Sequence, residues 1–281
     1  MNLIKKATIN LPKPVTYIAP NGDFTMIPTL LNKQTIQLIN RKQLKYSLVM
    51  AEKDYFLALA LKVLEESKLY NKLVFKGGTA IHHCYLEQSR FSEDLDFTSL
   101  DKDLKATDVT DIFKSISFFE VKKVYTSKAT IQIERLKYSG VLDQPNSLKF
   151  EIDFIQNVVL PPKQMKYTNV WGFDIMVNVM DIREIFAEKL RAMSDRARYR
   201  DFYDFYLISE QYNLDMIETI NLVKQKEIRK PISKESILRN WKVVSEQKEE
   251  EINLIYYRQD IFNNEQGIEK LLKCLNFTTI S

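Results

Sequence analysis

Two adjacent glycines, Gly77-Gly78, separate an apolar run, Leu73-Val74-Phe75, from a short helical pattern over Ala80 to Leu86. The 281-residue chain holds only six glycines, against roughly 7% in ordinary proteins. A sequence so sparing of glycine has placed this pair for its backbone freedom. A strand that passes through Gly-Gly-Thr straight into a helix calls for a mixed sheet-and-helix fold. It also leaves free N–H groups at a helix N-terminus, where phosphate oxygens can be held.

Composition excludes several classes. Hydrophobic residues make up 45% and charged residues 28%, which is ordinary for a globular protein and too apolar for a disordered one. The richest apolar stretch, Phe56 to Leu64, already contains Lys62, so no membrane span or membrane partner is expected. The opening Met1-Asn2-Leu3-Ile4-Lys5-Lys6 has no secretory pattern, and Cys84 and Cys274 are too few for a disulfide framework. A cytoplasmic protein with reduced thiols is expected. The net charge of +4 is too small to argue for nucleic acid by itself.

Along the chain, residues 1–41 read as irregular. Leu48, Ala51, Tyr55, Ala58, Leu61 and Leu64 recur at helical steps. The alternation in 94–98 and 148–155 predicts strands with carboxylates on one face, and 118–125, 129–137 and 173–179 are further strand candidates. Helices are expected at 181–197, 199–211, 214–226, 233–249 and 265–275. The fold class is therefore α+β: a mixed-sheet domain over 1–180, then a helical domain over 181–281 that contributes basic residues to a cleft.

Asp94 and Asp96 lie two apart in a strand, so both face the same way. Carboxylates held that close repel each other unless a cation sits between them. Asp153 lies on the Lys149/Glu151/Asp153 face of its own strand. If the two strands are neighbours, three carboxylates converge on a site suited to Mg²⁺ or Mn²⁺. Asp-x-Asp alone is more often a solvated strand edge. Strand, Gly-Gly-Thr, helix and Ser92-Glu93-Asp94-Leu95-Asp96 within so short a span make a stronger signal, one suited to in-line displacement at a nucleotide phosphate.

Downstream, Asp181 and Glu184 form a capping pattern, and Ile182, Phe186, Leu190, Met193 and Ala197 make a buried stripe. Lys189, Arg196 and Arg200 follow at steps of seven and four, with Asp204 four further if the helix is continuous. His82 and His83 diverge by about 100° on a helix, so they cannot share a metal and read as core or surface filling. The aromatic run from Tyr199 to Tyr206 reads as core, and Glu246–Glu251 as a solvated face.

Phe75-Lys76-Gly77-Gly78-Thr79-Ala80-Ile81 and Arg90-Phe91-Ser92-Glu93-Asp94-Leu95-Asp96-Phe97 resemble the first motif of the AbiEii/AbiGii-type nucleotidyltransferase toxins. These belong to the polymerase-β-like superfamily and to bacterial type IV toxin–antitoxin and abortive-infection systems. Glu184 to Ala192 and Arg196 to Phe205 resemble the later motifs. The resemblance implies that Gly78, Thr79 and Ser92, with Lys76 and Gly77, handle the triphosphate. Asp94 and Asp96 would hold metal, with Asp153 as third carboxylate and Glu151 as the alternative. Lys189 would contact phosphate alongside Arg196 and Arg200, and Asp201 or Asp204 would complete the site. The implied substrate is an NTP, with Mg²⁺ or Mn²⁺ as cofactor, and the implied acceptor is RNA, specifically a tRNA 3′ end. The basic residues Lys224, Lys226, Arg229, Lys230, Lys234, Arg239 and Lys242 are candidates for its backbone. A cognate antitoxin need not touch the toxin. Alternatives are an enzyme that modifies a protein or small molecule, and a nucleotide-binding module that has lost catalysis.

Overall fold

The computed structural model of the chain describes residues 15–18, 24–27, 29–226, 230–254 and 265–281. In chain order, β1 (Val15–Ile18) pairs antiparallel with β2 (Phe24–Ile27), and α1 (Lys33–Ile39) and α2 (Leu48–Glu65) follow. Next come β3 (Leu73–Lys76), α3 (Gly77–Ala80, running on as a wider turn to Tyr85), β4 (Asp94–Ser99) and α4 (Ala106–Lys114). Strands β5 (Phe119–Thr126), β6 (Thr130–Tyr138), β7 (Asn146–Asp153), β8 (Lys163–Lys166) and β9 (Met176–Val179) complete the sheet residues. Helices α5 (Ile182–Asp195), α6 (Tyr199–Gln211) and α7 (Met216–Gln225) lead to β10 (Ile232–Ser233) and α8 (Lys234–Leu254). The chain then closes through α9 (Glu265–Lys273) and β11 (Thr279–Ile280), which pairs with β10.

Helix α2 starts where the Ser47 hydroxyl accepts the Met50 N–H. It is buried well beyond a single stripe, since Phe56, Leu57, Leu59 and Ala60 join Ala51, Tyr55, Ala58, Leu61 and Leu64 inside. Its two buried carboxylates are both satisfied. Glu52 accepts from the Leu142 N–H, and Asp54 accepts from the Trp171 indole and the Gln88 amide.

Seven strands form one mixed sheet in the order β5-β6-β7-β4-β3-β9-β8. β3 runs antiparallel to β4, pairing Phe75 with Phe97 and Lys76 with Asp96. β4 runs parallel to β7, pairing Asp94 with Lys149 and Asp96 with Glu151. The alternation therefore does the expected work. Phe75, Phe97 and Phe150 meet on the apolar face, with ring centroids 5.1 and 4.9 Å apart. Their charged neighbours share the opposite face.

The α+β class holds: a mixed sheet comes first, then helices. The apolar core continues across residue 180, where β9 turns into α5, and joins sheet and helices in one cluster. On the helical side, Phe186 stacks on Phe205 at 4.0 Å.

Residues 1–41 correct the reading of that segment as irregular. Their described part carries the β1–β2 pair and α1, whose start is fixed by the Asn32 side chain accepting the Thr35 N–H. Helix α4 and strand β8 were also unforeseen.

Candidate active site

Gly77 has φ of +76°, a left-handed conformation that L side chains rarely adopt, and a Cβ there would lie 2.5 Å from Asp96 Oδ2. A Cβ on Gly78 would lie 2.5 Å from Arg90 Nη2 and 2.7 Å from Ser92 Oγ. The pair therefore has two separate reasons to be glycine: a backbone turn at the first, and close approach of the site's own side chains at both. Thr79 is placed differently from its expected phosphate contact. Its hydroxyl is buried and donates to the Asp94 carbonyl at 2.6 Å, which pins the turn to β4.

The first turn of α3 opens into a cleft of ≈ 350 Å³. Lys76, Gly77, Gly78, Ser92, Asp94 and Asp96 line one side, and Glu151 and Asp153 extend it along β7. Lys189, Arg191, Arg196, Arg198, Arg200 and Asp201 line the helical side. The sheet thus presents mostly carboxylate and the helices mostly guanidinium.

Burial, then the neighbouring charges of Asp94 and Glu151, push the Asp96 carboxyl up to about 6. Burial also raises Asp94, against the pull of Lys149. Glu151, in register with Asp96, crowds it more than Asp153 does. Asp153 stands one pair further along, opposite Thr98, where its carboxylate accepts the Ile155 and Gln156 N–H groups and pairs with Lys76 at 3.4 Å. Among the described residues no three acidic, histidine or cysteine side chains are gathered as a ready-made metal cage. A crowded pair of hard carboxylates with raised pKa values nevertheless fits Mg²⁺ or Mn²⁺, which take one or two protein carboxylates and complete their shell from substrate phosphate and water.

Across the cleft, the Lys189 ammonium lies 2.8 Å from both Asp201 and Asp204. Asp201 also accepts from Arg196 at 2.8 Å, and Lys189 and Arg196 outweigh burial to hold it well below the usual carboxylate range. Asp204 is buried away from the cleft. The Arg90 guanidinium grips it through Nε and Nη2 at 2.7 and 2.6 Å, and His82 Nε2 lies 3.0 Å from it. Burial drives His82 down to about 4, so it is a neutral core residue at pH 7. His83 stacks on Tyr167 at 4.4 Å.

The structure brings together all the expected site residues except Thr79 and Asp204, which lie behind the lining and hold it. The helical side brings corrections. Lys189, Arg196 and Arg200 do not continue along a single helix, because Arg196 and Arg198 take extended backbone and break α5 from α6. The Asp181/Glu184 pattern is also only half a capping box. Asp181 accepts the Arg183 N–H, but Glu184 turns inward to the Val159 and Leu160 N–H groups.

Sequence reasoning missed Arg90 as a buried clamp, and Glu188. Lys76 lies 3.6 Å from Glu188, and Lys226 reaches both Glu188 (2.9 Å) and Glu184. Glu184 and Glu188 lie four apart on α5, but their pairing with Lys76 and Lys226 is purely tertiary. Lys226 therefore leaves the proposed RNA-binding cluster for the interior. Lys234 likewise donates to the Lys273 and Leu275 carbonyls, while Arg229 lies outside the described residues.

By sequence, no curated protein matches the chain. Among solved structures, the nucleotidyltransferase toxin MenT4 of Mycobacterium tuberculosis is similar at a TM-score of 0.56 and 17% identity, over 87% of this chain and 99% of that one. JHP933 of Helicobacter pylori is similar at 0.51 and 17%, over 82% and 94%. These likenesses establish the fold. The family match over residues 59–268, three quarters of the chain, sets the class as a nucleotidyltransferase. More narrowly, the family model they match is that of the AbiEii nucleotidyl transferase toxins of type IV toxin–antitoxin systems, and the chain belongs to that family. No described helix is long and apolar enough to cross a membrane.

Proposed function

We propose that the chain transfers an NMP from an NTP to the 3′ end of an RNA, specifically a tRNA, in a metal-dependent reaction. The observation that carries this reading is the crowded Asp94–Asp96 pair, whose ionised form is disfavoured until a cation joins it, facing a glycine turn and a bank of arginines.

In this reading Asp94 and Asp96 hold Mg²⁺ or Mn²⁺, with Glu151 abreast of them and Asp153 as the more distant carboxylate. When bound there, the ion supplies Lewis-acid chemistry, lowering the pKa of the acceptor hydroxyl and polarising the phosphoryl group. Backbone N–H groups of the Gly77-Gly78 turn and the Ser92 hydroxyl orient the triphosphate. Arg196, Arg198 and Arg200 neutralise charge that builds on the departing pyrophosphate, and Lys189, fixed by Asp201 and Asp204, presents its remaining ammonium proton to a phosphate oxygen. The acceptor oxygen bonds to the α-phosphorus as the bond to pyrophosphate breaks. Glu151, abreast of the pair and not one of the two ligands, is the carboxylate left to take the hydroxyl proton. Modifying tRNA this way in the cytoplasm would block aminoacylation and arrest growth, and the cognate antitoxin would oppose it without direct contact.

Incubation with each α-labelled NTP, Mg²⁺ or Mn²⁺, and either bulk tRNA or protein tests the reading. Label is expected on tRNA. Label only on protein or on a small molecule would replace the RNA acceptor with another one.

A further inference from the structure

On the sheet face that carries Asp94, Asp96 and Glu151, the surface continues away from the cleft in lysine and arginine. Asp94 stands in register with Lys149. Two residues earlier on the same face is Ser147, in register with Lys137, and Arg135 stands in register with Lys122 on edge strand β5. Their alternates Leu136 and Leu148 are wholly buried on the other face.

Lys122, Lys123, Arg135, Lys137 and Asn146 line a groove of ≈ 480 Å³. Asn146 itself stands with Leu148 on the opposite face, so on the charged face the way from groove to cleft runs through Ser147, which lines the groove, and Lys149, which lines the cleft. From β4 to β5 it crosses three strand spacings, about 14 Å at ~4.8 Å each, the reach of a few nucleotides.

Outside the cleft, the charge of the groove is lopsided. The groove's four cations answer to two carboxylates, Glu120 and Glu134, and Arg135 makes no ion pair among the described residues. Tyr125, on the same edge strand, is 52% exposed. Spaced cations beside an exposed ring suit a flexible polyanion whose bases can stack, which is the chemistry of single-stranded nucleic acid. A folded protein acceptor would offer no such regular row of anions.

We infer that this sheet face is a track for the phosphate backbone of a single-stranded RNA end, delivering its 3′ hydroxyl past Ser147 and Lys149 into the cleft. The inference rests on the RNA-acceptor reading above and states where that acceptor lies. None of Lys122, Arg135 and Lys137 belongs to the proposed catalytic machinery.

The test is fluorescence anisotropy with a labelled single-stranded RNA bearing a free 3′ hydroxyl, and with bulk tRNA as competitor, over a salt series. Wild type is compared with a K122E/R135E/K137E variant and with K33E/K42E/K270E, equal charge reversals at exposed sites elsewhere. The track predicts at least tenfold weaker RNA binding and a salt slope smaller by about three for the first variant only, with NTP affinity unchanged. Wild-type RNA affinity and slope in that variant, or equal weakening in the control variant, would overturn the track and leave the RNA acceptor standing. A wild-type protein that binds no RNA and labels only protein would overturn the acceptor reading and the track together.

Discussion

Asp96 is the residue on which the site turns, and its environment is costly when ionised. Burial and the charges of Asp94 and Glu151 lift its carboxyl from an ordinary 3.8 to about 6. Because the folded-state value is raised, the stability this group contributes is present at low pH and is lost as pH climbs through about 6. A divalent cation bound by the ionised pair offsets that loss. Thermal unfolding should therefore show a larger Mg²⁺-induced rise in Tm at pH 7.5 than at pH 5, and an equal rise at both would remove Asp96 from the metal site. Glu188 has the opposite sign. Lys76, Lys226 and Arg191 outweigh burial and hold it at about 2, so its contribution persists until strongly acid pH. The Gly77-Gly78 pair and Asp94/Asp96 were legible because each leaves a local mark: scarce glycines side by side, and carboxylates two apart in an apolar strand. Whether Asp153 or Glu151 stands abreast of Asp96 was not legible, since that depends on strand register, which no single strand encodes.

Helix α5 is held to the end of α7 and the loop after β7 by charge as well as by its apolar stripe. Glu184 and Glu188 on one turn of it meet Lys226, which is 6% exposed and also donates to the Asn157 carbonyl. Removing one partner of a buried ion pair costs about 3–5 kcal/mol, because the other charge is left uncompensated. Lys226→Met should accordingly lower Tm by on the order of 10 °C, whereas Lys224→Met, at an exposed neighbouring position, should change it little. Similar Tm values for the two variants in a melting experiment would show that α5 is held by packing alone. Elements with clean periodicity, such as β4, β7, α2 and α5, were readable from sequence. Helix α4 was not, because Ala106-Thr107-Asp108-Val109-Thr110-Asp111 is rich in residues that favour strands or caps and is drawn into a helix by Val109 and Phe113 packing inward. Strand β8, Lys163-Gln164-Met165-Lys166, has no apolar face of its own and exists only as a polar edge paired with β9.

At the scale of the whole molecule, the sheet supplies carboxylates from β4 and β7, and the helical part supplies Lys189, Arg191, Arg196, Arg198 and Arg200 from α5, α6 and the break between them. Neither half makes the cleft alone, and the shared core keeps them in one relation. The aromatic run from Tyr199 to Phe205 is part of that shared core. The Arg90–Asp204–Lys189 clamp at the wall of the cleft was not legible, since it joins residues 114 positions apart. The central claim is that Asp94 and Asp96 hold the ion that makes nucleotide transfer possible. Transfer of label from α-labelled NTP to tRNA should rise with Mg²⁺ or Mn²⁺ in the wild type. In an Asp94→Ala/Asp96→Ala variant of unchanged or higher Tm, transfer should fall by at least a thousandfold, about 4 kcal/mol of lost transition-state stabilisation. Label transfer that survives in that variant, or that is indifferent to divalent cations in the wild type, would contradict the account.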